Sequence, residues 1–401
     1  MEQRILLVGL DGGATKLSGW TVNSDSTDGS FTLGSTNIQK SYSEYADYTP
    51  GFQSVDIKQQ LGEFSAGQIQ PTDAEIRQGR CYTRACVDVI SAIAAQFPGR
   101  PILAGLGMPG LKTADQRGIA VLLNGPRIPD YADQVEAELR SAGIELAAPI
   151  FRIGSDADYC GIGEEYSADG EFRDVGNAYY LGGGTGAADA LKLDGELVPL
   201  DQTKTWLAKT WELQNEKGKS LERYASAGGI QSIFSACSGV PVEELNAKKI
   251  YPPQILQWAL VGEPAAVAAF REISHFLAEL LYERIATVFA GWNNNFAFMN
   301  PNRAPLFPDH PYRGTLLDRL IIGQRLGNLL NDSKTTPLFW KSLLENLTGL
   351  IAASAISDPR FREHYLCDGQ FNADLIATSV LREAPALGAG IDACLHYRRN
   401  R

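Results

Sequence analysis

Near its start the sequence reads ILLVGLDGGATK (residues 5–16), an apolar run that ends in an aspartate and two glycines. The run before Asp11 is long and apolar enough for a buried β-strand, and an extended pattern resumes at residues 17–22. Because glycine has no Cβ, successive backbone N–H groups in a tight glycine turn can approach an anion closely. The stretch therefore predicts a strand, an anion-binding turn and a second strand.

The same arrangement recurs further along the chain. The stretch GGGTGA (residues 182–187) follows an apolar run at 178–181 and precedes an extended run at 188–193. Neither turn matches the P-loop pattern, and neither leads directly into a helix as a dinucleotide-binding fingerprint does. Hairpins also use glycine for backbone reasons alone, so each turn by itself is compatible with a plain hairpin. Their repetition predicts two similar halves that each offer a phosphate-binding turn.

The composition is that of an ordinary globular protein, with 401 residues of which 44% are hydrophobic and 21% charged. A chain of this length is expected to form two domains, each with its own core. The net charge of −11 repels nucleic-acid backbones, so we expect no nucleic-acid partner. No apolar run reaches the roughly 18 residues of a membrane span, and the region after Arg4 does not read as a signal peptide. We expect a cytoplasmic protein with no membrane partner.

The cysteines and histidines show no metal-binding spacing. The six cysteines contain no Cys-x-x-Cys pair, which is typical of reduced thiols. The four histidines all lie from His275 onward, and none is spaced from a cysteine as in a zinc site. We expect no structural zinc.

The remaining pattern alternates strands and helices. A polar stretch at 40–71 reads as an excursion, and a Pro- and Asn-rich loop at 293–312 reads as an insertion. The other predicted strands are 31–38, 102–108, 150–153, 320–323 and 375–380. The predicted helices are 73–97, 132–142, 156–166, 218–237, 241–248, 253–260, 265–292, 324–331 and 385–397.

Asp156 and Asp158 lie where a predicted strand ends and a helix begins. The end of a strand is rigid, and a helix N-terminus favours negative charge, so an α/β protein often places its chemistry there. Asp156 is also compatible with a plain helix N-cap. Asp158 is better explained as a helix-start acid or a partner of Asp156 than as a second catalytic group.

Several motifs, in order along most of the chain, resemble the ROK family of sugar kinases, within the actin, Hsp70 and hexokinase superfamily. They are LDGGATK (10–16), GLGMPG (105–110), NGPRIP (124–129), SDADYCGIGE (155–164), GGTG (183–186), SLERYAS (220–226), IIG (321–323) and LGA (387–389). The resemblance implies an α/β fold of two actin-like (ribonuclease H-like) domains with a cleft between them. We expect residues 1–150 to form the N-terminal domain, with the last helix at about 385–401 packing on it, and residues 151–384 to form the C-terminal domain. A homodimer is the family's usual state.

The resemblance also implies an activity, the ATP-dependent phosphorylation of a hydroxyl group of a sugar or sugar derivative. Asp156 would be the general base and Asp11 would hold Mg²⁺, because a hard cation prefers oxygen ligands. The nucleotide-binding residues would be Asp11, Gly12, Gly13, Thr15, Lys16, Gly183, Gly184, Thr185, Gly186, Gly323 and Gly388. The substrate-binding residues would be Gly107, Pro109, Asn124, Ser155, Asp156 and Glu222. On the residues alone, Lys16 also reads as a solvated lysine and Glu222 as an ordinary acid on a helix face.

The sequence departs from the family after the second turn. Typical members carry a Gly-Glu-x-Gly-His motif that grips sugar hydroxyls, and often a zinc-binding cysteine cluster. Here the corresponding stretch is LVPLDQTKTW (197–206), and Ser155 replaces the usual Asn before the catalytic Asp. Either Asp201, Gln202, Trp206 or Glu222 contacts a different sugar, or the chain binds its ligand without efficient transfer. Because Asp11, Asp156 and both turns are retained, we favour an active enzyme.

Two other classes share this fold. Transcription regulators of the family carry an N-terminal DNA-binding helix-turn-helix, whereas the first strand here comes directly after residue 4, so we expect no regulator. Actin-like and chaperone ATPases lack counterparts of the segments around Asp156 and Glu222, which favours the kinase.

Overall fold

The structure is a computed structural model, which describes residues 5–25 and 27–400. The chain folds into two compact units. The first contains the described residues up to Ala168 and those from Glu383 onward, and the second runs from Asp169 to Arg382. Each unit has its own buried apolar core, as expected of separate domains.

The first unit is built on one mixed sheet. Its strands are β1 (Leu6–Gly12), β2 (Lys16–Ser24), β3 (Phe31–Ser41), β4 (Ile102–Gly107), β5 (Leu111–Lys112), β6 (Ile119–Val121) and β7 (Ile153–Gly154). The sheet order is β3-β2-β1-β4-β7, while β5 and β6 form a separate hairpin. Strand β1 pairs antiparallel with β2 and parallel with β4. The carboxyl ends of β1 and β4 therefore lie at the same edge of the sheet.

The first unit has helices α1 (Ile57–Ser65), α2 (Asp73–Ala94), α3 (Tyr131–Ser141) and α4 (Asp156–Tyr166). Helix α2 begins with a capping box, in which the Thr72 hydroxyl accepts from the Glu75 N–H and the Glu75 carboxylate accepts from the Thr72 N–H. Helix α1 lies within the polar excursion and was not predicted. Its N-cap Asp56 gives the only clear local signal, because the helix is short and buries Gln60 rather than an apolar side chain.

The second unit repeats this sheet. Its strands are β8 (Ala178–Gly183), β9 (Ala187–Leu193), β10 (Glu196–Leu197), β11 (Leu213–Gln214), β12 (Ala297–Phe298), β13 (Arg319–Gly323), β14 (Leu366–Cys367), β15 (Gln370–Phe371) and β16 (Ile376–Thr378). The order β10-β9-β8-β13-β16 again places an antiparallel hairpin beside parallel strands. The two predicted strand–turn–strand repeats are therefore confirmed as the β1–β2 and β8–β9 hairpins.

The second unit also carries most of the helices. They are α5 (Leu200–Thr203), α6 (Glu222–Ala225), α7 (Ala227–Ser238), α8 (Val242–Ala247), α9 (Pro252–Leu260), α10 (Pro264–Ala290), α11 (Gln324–Asp332), α12 (Ser342–Ala352) and α13 (Pro359–Tyr365). The single helix predicted at 218–237 is wrong, because Ser226 is extended and caps a new helix, α7, with its hydroxyl accepting from the Gly229 N–H. No helix in the described ranges is long and apolar enough to cross a membrane.

The chain returns to the first unit with α14 (Ala384–Arg399), which packs on β1, β4 and α4. The approach to the sheet is close. A Cβ at Gly9 or Gly105 would overlap the backbone carbonyls of Ala386 and Ala389. This packing fixes both α4 and the start of α14 near the ends of the central strands.

Candidate active site

The first glycine turn joins β1 to β2. The Gly13 N–H donates to the Lys16 carbonyl at 2.9 Å, while the Ala14 carbonyl accepts from the Tyr82 hydroxyl at 3.2 Å. The Thr15 carbonyl accepts from the Tyr42 N–H at 3.0 Å. Within the described residues, the N–H groups of Ala14 and Thr15 donate to no protein atom. The turn is thus held by its carbonyls and leaves two exposed donors for an anion.

Asp11 lies at the carboxyl end of β1 and is partly buried. Burial raises the pKa of its carboxyl to about 7, with further contributions from the negative charges of Asp156 and Glu383. The charge of Lys16 acts in the opposite direction. Because the three acids come from β1, α4 and the N-cap of α14, the fold concentrates negative charge here, and such a place favours a bound cation.

Asp156 is the first residue of α4, but it does not cap the helix. The cap is Ser155, whose hydroxyl accepts from the Asp158 N–H at 3.1 Å and donates to the Asp158 carboxylate at 2.8 Å. The Asp156 carboxylate is exposed, and within the described residues its one hydrogen bond is from the N–H of Ala157, at 3.0 Å. The interpretation of Asp156 as a plain N-cap is therefore wrong, and Asp158 acts as a partner in the cap.

Lys112 organises the glycine–proline segment that follows β4. Its ammonium group donates to the carbonyls of Met108 and Gly110 at 2.7 Å each, and to that of Pro109 at 3.4 Å. Gly107, at the end of β4, is buried, and a Cβ there would lie 3.0 Å from the Tyr159 ring. No sequence pattern marks Lys112, because its partners are backbone carbonyls that any residue supplies.

Asn124 is exposed on the loop after β6, and a buried ion pair anchors this loop. The Arg127 guanidinium donates to the two carboxylate oxygens of Glu75, at 2.7 and 2.8 Å, and also to Glu63. A bidentate pair of this kind fixes orientation as well as position. The loop that carries Asn124 is therefore tied to α1 and α2.

The second glycine turn lies in the second unit, between β8 and β9. The Gly184 N–H donates to the Gly186 carbonyl at 2.9 Å, and the Gly184 carbonyl accepts from the Ala227 N–H at 3.0 Å. Among the residues that the structure describes, the N–H groups of Thr185 and Gly186 donate to no protein atom. This turn therefore has the same two-donor arrangement as the first. Gly183 is buried, and a Cβ there would overlap the Ala225 carbonyl.

Two side chains flank the second turn. Glu222 accepts from the Ala187 N–H at 3.0 Å, and its carboxylate oxygen would lie 2.8 Å from a Cβ at Gly186. On the other side, the Gln324 side-chain oxygen would overlap a Cβ at Gly184. Gln324 has a φ of +57°, a left-handed conformation that costs a non-glycine residue about 1–2 kcal/mol. The sequence could not reveal Gln324, because nothing local marks a glutamine for this conformation.

Two glycines predicted to contact nucleotide have packing roles. A Cβ at Gly323 would overlap the Tyr180 ring, and a Cβ at Gly388 would overlap the Tyr159 carbonyl where α14 crosses α4. Packing by itself accounts for glycine at both positions. A nucleotide contact at Gly323 or Gly388 stays a prediction.

The stretch at 197–206, which replaces the family's sugar-binding motif, uses most of its candidate side chains for contacts within the protein. Trp206 is only 5% exposed and stacks on His310 with ring centroids 4.1 Å apart, so it offers no open stacking face to a sugar. Asp201 forms ion pairs with Lys204 at 2.8 Å and Lys209 at 3.4 Å. Gln202 is exposed on α5. The interpretation of Trp206 as a sugar contact is therefore wrong.

The groups around Asp11 suit a hard cation that takes only some of its ligands from the protein. In the described parts of the chain, no three His, Cys, Asp or Glu side chains form a ready-made metal site. Mg²⁺ usually takes only one or two carboxylates and keeps waters or phosphate oxygens as its other ligands. Asp11 beside the exposed N–H groups of the first turn offers this combination.

Comparison with solved structures identifies the fold. The glucokinase from Parabacteroides distasonis has a TM-score of 0.56 at 16% identity, covering 98% of this chain and 99% of that chain. A ROK family glucokinase from Streptomyces griseus, solved with glucose and AMPPNP, has a TM-score of 0.55 at 14% identity, covering 97% and 99%. A ROK family transcriptional regulator, a homologue of the E. coli MLC protein, has a TM-score of 0.52 at 12% identity, covering 98% and 78%.

No protein-family model and no curated protein sequence matches the chain. The fold is nevertheless that of the ROK family sugar kinases, an α/β fold of the actin-like class with two five-stranded sheets. The fold class that the sequence motifs predict is confirmed.

Proposed function

We propose that this protein is a kinase that uses ATP and Mg²⁺ to phosphorylate a hydroxyl group of a sugar or sugar derivative. One observation carries the proposal. The exposed Asp156 carboxylate, which is not used as a helix cap, is electrostatically coupled to Asp11 beside a turn with two exposed N–H donors. The sugar kinases that share the fold support the same reaction class.

In this mechanism Asp156 accepts the proton of the attacking hydroxyl. The alcohol becomes strongly acidic only late in phosphoryl transfer, so a close and oriented carboxylate suffices as the base. The oxygen of the hydroxyl forms the new bond to the terminal phosphorus, and the bond from that phosphorus to ADP breaks. Asp11 would hold Mg²⁺, which when bound neutralises phosphate charge. The exposed N–H groups of the two turns, with the Thr185 hydroxyl, would donate to phosphate oxygens.

The sugar contacts that we propose come from Gly107, Pro109, Asn124, Ser155 and Glu222. Lys112 and Arg127 fix the segments that carry Pro109 and Asn124. Because the Ser155 hydroxyl is already used in the α4 cap, its contribution would be weaker than that of a free amide.

A second candidate is a protein that binds nucleotide or sugar without efficient transfer. The observations that favour it are that Glu222 already accepts the Ala187 N–H, and that Asp201, the acid in the stretch that replaces the family's Glu and His, is engaged in ion pairs with Lys204 and Lys209. It predicts ligand binding without turnover.

A coupled ADP-release assay over hexoses, amino sugars and polyols tests the proposal. We expect at least one acceptor to raise ADP release well above the rate with ATP and Mg²⁺ alone. The control omits the acceptor and so measures plain ATP hydrolysis. If nucleotide binds but no acceptor stimulates release, the kinase is excluded and the binding protein remains.

Gly13→Ala tests whether the first turn binds phosphate. A Cβ at Gly13 would meet only the Lys16 carbonyl, at an ordinary 3.9 Å, so the fold itself does not need glycine there. We expect the free energy of unfolding to stay constant or rise by up to about 1 kcal/mol. The added methyl group would obstruct an approaching phosphate, and we expect ATP affinity to fall about tenfold, measured by calorimetry.

Gly349→Ala is the matched control, because a Cβ there meets nothing within 4 Å and the residue is exposed on α12. We expect Gly349→Ala to stabilise the protein slightly and to leave ATP affinity unchanged. Equal ATP affinities for both variants and the wild type would remove the first turn from the phosphate site.

A further inference from the structure

Gln324 differs from the other left-handed residues of the chain. The described non-glycine residues with positive φ are Gln116, Asp194, Lys249, Asn294, Gln324 and Asp368. All except Gln324 lie in turns or loops, where such a conformation is common. Gln324 is the first residue of α11, directly after β13, and a glycine there would adopt the same backbone without strain. Strain of this kind is retained most often at functional sites.

The side chain of Gln324 lies against the second turn. Its backbone continues the pairing of β13 with β8 by bridging to Gly183, which sets its position beside the turn. Its carboxamide oxygen lies so close to Gly184 that a Cβ there would require the Gln324 side chain to shift. The strained backbone thus places a neutral amide at the edge of an exposed turn.

The other edge of the turn is negatively charged. Glu222 takes up the Ala187 N–H and lies beside Gly186, so that a phosphate placed there would be repelled and would find one donor already used. At the Gly184 edge the neighbouring group is an amide, which both donates and accepts. The two flanking side chains thus make the turn asymmetric, and repulsion by Glu222 favours an anion that binds the unused Thr185 and Gly186 N–H groups from the Gln324 side.

We propose that Gln324 contacts the terminal phosphates of the bound nucleotide and sets the affinity of the second turn for ATP over unphosphorylated nucleoside. This inference rests on the proposed kinase function. The Gln324 carboxamide places a neutral polar group, which can both donate and accept, beside the backbone N–H groups and the Thr185 hydroxyl of the turn. Repulsion by Glu222 directs the phosphates to the Gln324 side of the turn.

Gln324→Glu tests the inference, because it keeps the shape of the side chain and adds a negative charge. We expect the affinity for a non-hydrolysable ATP analogue, measured by calorimetry, to fall at least about tenfold through repulsion of the phosphates. Adenosine lacks phosphates, so its affinity should stay within about twofold. The control is Gln254→Glu, an exposed glutamine on α9, which should change neither affinity.

Gln324→Gly keeps the inference testable if the charged variant folds poorly. Glycine relieves the left-handed strain, so the melting temperature should stay constant or rise while the affinity for the ATP analogue falls. Unchanged analogue affinity in both variants, or equal losses for the analogue and adenosine, would overturn the role of Gln324. A wild-type protein that binds the analogue but phosphorylates no sugar would overturn the proposed kinase activity and leave the phosphate contact of Gln324 standing. One that binds no analogue would overturn both.

Discussion

Asp156→Asn should abolish most sugar phosphorylation while leaving the fold and nucleotide binding nearly intact. Loss of a positioned general base typically costs about 10²–10⁴-fold in kcat, and asparagine cannot accept the proton. The Asp156 carboxylate is exposed and, in the part of the chain that the structure describes, accepts a hydrogen bond from the adjacent Ala157 N–H alone, so its removal should cost at most about 1 kcal/mol of helix stabilisation. Steady-state ADP release and calorimetric titration with an ATP analogue measure the two effects separately.

Asp158→Asn is the matched control for this variant, because it removes the same charge from the same first turn of α4. Asp158 accepts from the Ser155 hydroxyl, so its loss should weaken the helix cap and reduce kcat much less than Asp156→Asn does. Equal losses in the two variants would point to a general effect of charge at the start of α4. Full activity in Asp156→Asn would exclude the proposed base.

The sequence predicted the architecture well because the decisive signals were local. Both strand–turn–strand repeats could be read from apolar runs that end in glycine, and both are hairpins in the structure. The long helix α10 also follows from its continuous apolar pattern. Helix α1 was missed because it is short and buries Gln60, while the break between α6 and α7 depends on the extended backbone of Ser226. Such features are decided by packing and capping rather than by periodicity.

The residues of the candidate site could be predicted only where a short sequence motif contains the reactive side chain. Asp11 and Asp156 stand at strand ends, where carboxylates are expected to be functional. Glu383 could not be found in this way, because it reaches Asp11 through the return of α14 to the first unit. Lys112 and Gln324 also escape sequence reasoning, because a set of carbonyl partners and a left-handed backbone are properties of the folded chain. Long-range packing thus supplied the parts that the motifs lacked.

Asp11→Asn should lower Mg²⁺-dependent activity strongly and also change how stability depends on pH. The pKa of Asp11 is 3.8 when unperturbed and about 7 in the folded protein. Between pH 3.8 and pH 7 the Asp11 carboxyl is protonated in the folded state and ionised in the unfolded state. The contribution of Asp11 to the free energy of unfolding is therefore complete below pH 3.8 and is lost as the pH rises towards 7. Asparagine stays neutral and resembles the protonated acid. Relative to wild type, the free energy of unfolding of Asp11→Asn should therefore rise by about 2.5 kcal/mol between pH 5 and pH 8.

Urea unfolding of the wild type and Asp11→Asn at these two pH values, without Mg²⁺, measures this difference. Adding Mg²⁺ at pH 8 should stabilise the wild type and not the variant, because the cation binds the ionised carboxylate. In an Asp156→Asn background the gain should shrink, since Asp156 is one of the charges that raise the pKa of Asp11. A stability difference that is the same at pH 5 and pH 8 would contradict the raised pKa. We also expect activity to rise with pH near 7, because the Asp11 carboxylate becomes ionised there and can hold the cation. A stability difference that does not depend on pH would remove the basis of this expectation.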